Sequence, residues 1–203
     1  EDKKLVTAIK TIAGFTPSNL ALYKLATLHS SRSKEKDGFR ESNERLEYLG
    51  DAILGAAVAD YLFKRYPFKD EGFLTEIRSR IVNRESLNHL ARKVGVAAIV
   101  QFDHKNAQLH QVILGNALEA LVGAIYLDKG YPFTAKFINE NVLRFHIDID
   151  EIEANDNDYK SKLIEWTQKN KKELRFNLAE ETGSGQYKMY TIEILIDGAP
   201  HGR

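Results

Sequence analysis

The sequence predicts a mainly α protein, with an all-helical bundle over residues 1–147 and a small α+β unit near the C-terminal end. Two observations carry that reading. From Lys4 to about Phe145 apolar residues recur at helical spacing and no segment alternates convincingly as a strand. After Asp158 a short basic helix gives way to two alternating stretches joined by a Gly-rich turn.

The elements follow in order. "LVTAIKTIAGF" sets Leu5, Ile9 and Ile12 on one stripe, and "NLALYKLATLHS" follows Pro17 and Ser18, a favourable helix start. The polar "SKEKDGFRES" breaks the pattern. A long helix is expected from Asn43 to Tyr66, stopped by Pro67. "FLTEIRSRIVNRESLNHLARKVGV" then reads as one helix, with Leu74, Ile77, Ile81, Leu87 and Leu90 as its buried stripe and Gly95 as its end. Another helix is expected from His110 to Lys129, followed by Gly130 and Pro132, and "FTAKFINENVLRFH" is the last amphipathic helix of the bundle. Residues 148–157 carry only acids among their charges and read as a connector, or as a frayed helix end. In 158–203, "DYKSKLIEWTQKNK" is expected as a helix with Leu163 and Trp166 inward, and "ELRFNLAEE" and "YKMYTIEILID" as two strands around "TGSGQ". One helix on two strands is marginal by itself, so this unit reads as incomplete.

Composition sets limits. The 29 Lys and Arg balance the 29 Asp and Glu, so any basic surface must come from local clustering, as at Lys160, Lys162, Lys169, Lys171, Lys172 and Arg175. The absence of cysteine excludes a disulfide framework and a thiolate metal site, and is compatible with a reducing cytosol. No run of 18 apolar residues exists, so no membrane span is expected. The chain begins at Glu1 rather than Met, so a missing leader carries no weight.

The chemistry concentrates in "NERLEYLGDAIL". Wound as a helix, Glu44, Glu47 and Asp51 fall within a sector of about 60°, with Leu46, Leu49 and Ile53 roughly opposite. Like charges so spaced repel by about 0.2–0.5 kcal/mol per pair, and no lysine stands four residues after Glu47 or Asp51 to relieve them. Gly50 costs about 1 kcal/mol of helix propensity relative to Ala, a cost that fits close approach by a neighbour. "ILGNALEALVGAIYL" repeats the pattern: Asn116 and Glu119 share one face, while Leu114, Leu118, Leu121 and Ile125 line the other. Side by side, two such helices would converge oxygen donors suited to a hard cation, Mg²⁺ or Mn²⁺. The competing reading is a solvated acidic face. Against it, the second helix is too apolar for a free surface, so Glu119 needs a partner. Di-iron bundles use Glu-x-x-His pairs, which neither acidic helix has. No Walker loop, His-Glu-x-x-His or Gly-x-Ser-x-Gly occurs.

These stretches, with "LATLHSS" upstream, "EGFLTEIRSRIVNRESL" between them and "DYKSKLIEWTQKNK…YTIEILIDG" at the end, resemble the ribonuclease III family in order along nearly the whole chain. The resemblance implies an all-α endonuclease domain at 1–147, an acidic linker at 148–157 and the start of a double-stranded-RNA-binding domain at 158–203. It implies a cytoplasmic homodimer, with no membrane and no small-molecule organic cofactor. Such a dimer cuts double-stranded RNA with Mg²⁺, for which Mn²⁺ can substitute, leaving 5′-phosphate and 3′-hydroxyl ends with a short 3′ overhang. Processing of ribosomal and messenger RNA precursors is the implied role.

Carried over by residue, the resemblance implies Glu47, Asp51 and Glu119 as the essential carboxylates, with Glu47 and Glu119 on the metal and Asp51 and Asn116 completing its surroundings. Glu44 is implied in substrate or water handling, and Tyr48 at the dimer interface, its bland alternative being a core tyrosine. Gln168, Lys160, Lys169 and Gln186 are the candidate RNA contacts the resemblance points to, although any single lysine is more simply a solvated one. Two departures stand out: Asn116 where the family usually has Asp, and Gln186 where it has His. The first keeps open a protein that binds double-stranded RNA without cutting it.

Overall fold

The computed structural model describes residues 2–33, 35–36, 39–103, 110–144, 159–182 and 188–202. The chain divides into two compact units, Glu1–Glu153 and Ala154–Arg203. No described helix is long and apolar enough to cross a membrane.

The first unit is built from α1 (Asp2–Ala13), α2 (Leu20–Ala26), α3 (Glu44–Arg65), α4 (Glu71–Val82), α5 (Arg84–Val94), α6 (His110–Lys129) and α7 (Tyr131–Phe137). From Ile138 to Leu143 the last of these runs on through a π-helical turn. Helix α6 is the axis of the bundle. From Ile113 to Ile125 every residue is buried except Asn116 and Glu119, which are half-buried. A helix apolar all round belongs in the middle of a core, and α3 and α5 pack on it most extensively. The expected stripes are buried: Ile9 and Ile12, Ile77 and Ile81, Leu87 and Leu90, Leu114, Leu118, Leu121 and Ile125. Leu5 and Leu74 pack against this core half-buried.

Two features of this unit differ from expectation. The segment after Gly72 is two helices, not one. Asn83 adopts extended backbone between them, and its side chain accepts from the Ser86 N–H at 2.9 Å. An Asn offering that cap competes with continuation of the helix, and the apolar stripe runs through the break without recording it. The polar interruption also contains a two-residue antiparallel ladder, β1 (Glu35–Lys36) with β2 (Phe39–Arg40), too short to leave an alternating pattern.

The second unit holds α8 (Tyr159–Lys169) and an antiparallel sheet of β3 (Leu174–Thr182), β4 (Met189–Ile196) and β5 (Ala199–Gly202), in that order. The third strand corrects the two-strand expectation. Between β4 and β5 lies Asp197-Gly198, both at positive φ (52° and 80°). Asp-Gly is among the strongest short hairpin signals, since both central residues of the turn need left-handed backbone. That dipeptide was the readable sign, and Pro200 is tolerated because β5 is an edge strand. Trp166 is not inward but 48% exposed. The covered face of α8 centres on Leu163, Ile164 and Thr167, which leaves Trp166 at its margin.

Candidate functional site

Helix α3 begins where the chain is pinned. Leu28 bridges to Gln101, and the Leu28 carbonyl accepts the Asn43 N–H at 2.9 Å. The Asn43 carbonyl then accepts the Glu47 N–H at 2.8 Å, opening the helix. Glu44 and Glu47 both sit in the first turn, where the positive end of the helix dipole favours carboxylates. The dipole therefore offsets part of their mutual repulsion.

What brings the two acidic stretches together is a backbone contact. A Cβ added to Gly50 would lie 1.7 Å from the Glu119 carbonyl oxygen and 2.9 Å from the Gly123 nitrogen. A Cβ on Gly123 would lie 2.4 Å from the Leu46 carbonyl oxygen. Helices α3 and α6 thus cross backbone to backbone, at a spacing no side chain permits. The crossing lies beside Glu47 and Asp51 on one helix and involves Glu119 itself on the other.

The electrostatics record the convergence. Burial raises the pKa of the Glu119 carboxyl to about 7, with the charges of Asp51 and Glu47 adding to the effect and Arg84 opposing it. Glu47 is also raised, first by burial and then by Glu44 and Asp51. The Asn116 side chain, within hydrogen-bonding reach, and Arg84 pull Glu47 back down. Glu47, Asn116 and Glu119 are half-buried, while Glu44 and Asp51 are exposed. The structure therefore places Glu44, Glu47, Asp51, Asn116 and Glu119 in one electrostatic neighbourhood.

Sequence spacing missed Arg84. It enters from α5, a helix with no acidic stripe, and only the tertiary packing reveals it. His29 also faces this neighbourhood: burial lowers its pKa, and the Glu44 charge opposes that shift.

As placed, no three Asp, Glu, His or Cys side chains among the described residues form a ready-made group for a metal ion. Bare carboxylates repel one another, and one of the four expected donors is an amide. The donor set fits a hard divalent cation by its chemistry, being all oxygen, largely anionic and partly buried. Neutralisation by such an ion would relieve the raised pKa values of Glu47 and Glu119.

Tyr48 is 83% exposed, which excludes the core reading. In the second unit Lys160, Gln168 and Lys169 are exposed on α8, and the Lys160 ammonium lies 5.4 Å from the centre of the Phe176 ring. Gln186 lies outside the described residues.

Comparison with known proteins points one way. A family model described as Ribonuclease-III-like matches residues 19–145. A ribonuclease 3 of Bacteroides thetaiotaomicron is 41% identical over 204 residues, covering 100% of this chain and 66% of that protein. One from Zunongwangia profunda is 42% identical over 187 residues, covering 92% of this chain and 77% of that protein. The chain spans about two thirds of the length of the first curated relatives it matches. Among solved structures, the nuclease domain of ribonuclease III from Campylobacter jejuni superposes with a TM-score of 0.60 at 28% identity, covering 68% of this chain and 95% of that domain.

Proposed function

Because this chain belongs to the ribonuclease III family, we propose that it is a divalent-metal-dependent endoribonuclease acting on double-stranded RNA. The observation that carries the reading is the Gly50–Gly123 crossing, which lodges Glu119 in a buried helix against the acids of α3.

In this reading Glu47 and Glu119 hold the ion directly, Asp51 completes its charge and Asn116 offers a carbonyl oxygen. The chemistry such an ion supplies is activation of water and charge neutralisation at phosphorus during in-line hydrolysis. Mg²⁺ is the assigned ion and Mn²⁺ its substitute. The chain's own residues orient and exclude. The leucines of α6 hold Glu119 rigid, and the Asn116 amide steadies the Glu47 carboxylate. Glu44 stands exposed at the mouth of the site, where substrate and solvent arrive. Cleavage of this kind leaves 5′-phosphate and 3′-hydroxyl ends.

A homodimer completes the proposal, with Tyr48 in its interface. Two things support it: the exposure of that aromatic, and a Campylobacter jejuni nuclease-domain structure described in terms of a region involved in dimer formation. Two such sites cutting opposite strands would leave the short 3′ overhang. Lys160, Gln168 and Lys169 on α8 are assigned to duplex RNA, which is read by shape through phosphates and 2′-hydroxyls. Structured precursors of ribosomal and messenger RNA are the proposed substrates and the cytoplasm the proposed location. Asn116 favours one alternative, a protein of this fold that binds duplex RNA without cutting, since the amide lacks the charge of an acid.

The test is incubation with long duplex RNA, with and without Mg²⁺, followed by analysis of fragment ends. Metal-dependent cutting by the native chain, lost in Glu119→Gln while gel-shift retention survives, is the expected result. Retention without any cutting by the native chain supports the non-cleaving alternative. Equal loss of cutting and retention in Glu119→Gln would make Glu119 structural.

A further inference from the structure

We propose that Arg84 is a substrate-gripping residue of this site, taking a phosphate of the RNA duplex beside the scissile bond, and that Asn88 positions it. The inference rests on the nuclease reading above and extends it to a residue outside both acidic helices.

Placement comes first. Arg84 is the first residue of α5, directly after the Asn83 cap, and it is exposed. Four residues on, Asn88 is 5% exposed and spans two helices with one amide. Its Nδ2 donates to the Arg84 carbonyl at 2.8 Å, and its Oδ1 accepts the Gly115 N–H at 2.9 Å. Gly115 immediately precedes Asn116. A Cβ on Gly115 would stand 3.2 Å from the Leu87 Cβ, so α5 and α6 are in close contact at this point. The backbone of Arg84 is therefore registered against the acid-bearing stretch of α6 through a buried side chain, not left to a loop.

Charge comes second. The Asn88 bridge sets this cation beside the stretch of α6 that carries Asn116 and Glu119. Among the described residues it closes no ion pair with Glu47 or Glu119. Arg84 is exposed, so an incoming ligand can meet it from solvent. Three carboxylates around one divalent ion still leave a negative site, and a phosphodiester approaching it is repelled. A guanidinium at the rim offsets that repulsion, and its planar fork matches two phosphate oxygens at once.

The test uses the full 203-residue chain in two assays. The first is binding to a short RNA duplex in Mg²⁺ across a KCl series, in a Glu119→Gln background so that the RNA stays whole. The second is cleavage kinetics in the otherwise native chain. Arg84→Gln is expected to flatten the slope of log K against log [salt] by roughly one phosphate's worth of counterion release. It should also lower kcat/KM about ten- to a hundredfold, the loss of one hydrogen-bonding contact to a charged group. Arg84→Lys should keep the slope, because the charge remains, and recover only part of the rate, because the fork is gone.

A native slope in Arg84→Gln overturns the proposal even if cleavage falls, since a pure counter-charge would behave that way. Should Arg84→Gln fail to fold, Arg84→Lys decides: full native kcat/KM overturns the proposal, and a reduced value with the native slope supports it. A native chain that binds but never cuts refutes the nuclease reading, while the salt slope still tests the phosphate contact independently.

Discussion

Gly50→Ala is the substitution that interrogates the crossing. In an isolated helix the change should stabilise by about 1 kcal/mol, since Ala is the better helix former. Here the new Cβ would sit 1.7 Å from the Glu119 carbonyl oxygen, where real Cβ atoms keep at least 3.0 Å. Helices α3 and α6 must therefore part by about 1.3 Å, the difference between those two distances, or one must bend. The obstacle is backbone, so no rotamer relieves it. Overpacking of this kind costs about 1–3 kcal/mol and at times more, and the upper end applies where neither partner can turn aside. Net of propensity, the loss is about 2 kcal/mol, or roughly 4–8 °C in Tm for a unit of this size. The site should suffer more than the fold, because a shift of about 1 Å between positioned groups can cost on the order of a hundredfold in rate.

Gly55→Ala supplies the control. It lies in the same helix, and a Cβ there meets nothing within 4 Å, so Gly55→Ala should be neutral or stabilising by up to about 1 kcal/mol. Paired thermal melts and Mg²⁺-dependent cleavage rates measure both effects. A Gly50→Ala protein as stable and active as Gly55→Ala would refute the close crossing and the geometry of the site with it.

Three further outcomes are expected. The Asp128 side chain is 2% exposed and accepts from the Ser18 and Asn19 N–H groups and from the Tyr23 hydroxyl at 3.0–3.1 Å. Burial works against its charge, but those donors and Lys129 outweigh it and lower its pKa. Asp128→Ala should then cost about 2–3 kcal/mol, read by urea denaturation, because it strands the buried Tyr23 hydroxyl. Asn116→Asp adds a charge beside Glu47, so it should lower the Tm of metal-free protein and reduce the Mg²⁺ concentration needed for half-maximal cutting; an unchanged metal titration would remove residue 116 from the ion's surroundings. The third concerns pH. The folded Glu119 pKa of about 7 exceeds the ordinary carboxyl value of 4.5, so between those values the folded state binds more protons than the unfolded. Metal-free stability should accordingly fall as pH rises from 4.5 to 7, apparent metal affinity should climb over the same range, and Glu119→Gln should flatten the stability trend in parallel pH-series melts.

Much of the molecule was legible in local pattern. The stripe of α6 could be read because burial on a helix repeats every three to four residues, and Asn116 and Glu119 stood out as the polar interruptions in it. Gly50 was legible too, as a glycine where propensity argues against one. The break at Asn83 was hidden, because a capping residue and a solvated helical Asn are the same letter in a sequence. The hairpin at Asp197-Gly198 is marked by its turn dipeptide, while the four-residue strand after it, with Pro200, is too short to show an alternating pattern. The exposure of Trp166 was not readable, because the covered face of a short helix depends on how the sheet beneath it is placed.

By itself the sequence determined that the first unit is helical, which stripes of its central helices are buried and that two of them carry oxygen-bearing side chains, since each of these follows from the chemistry of neighbours along the chain. Only the tertiary structure decided that α3 and α6 meet backbone to backbone at Gly50 and Gly123, that burial there drives the Glu119 pKa toward 7, and that Arg84 arrives from a third helix. Those properties depend on distances between residues far apart in sequence, and no periodicity encodes a distance across a core.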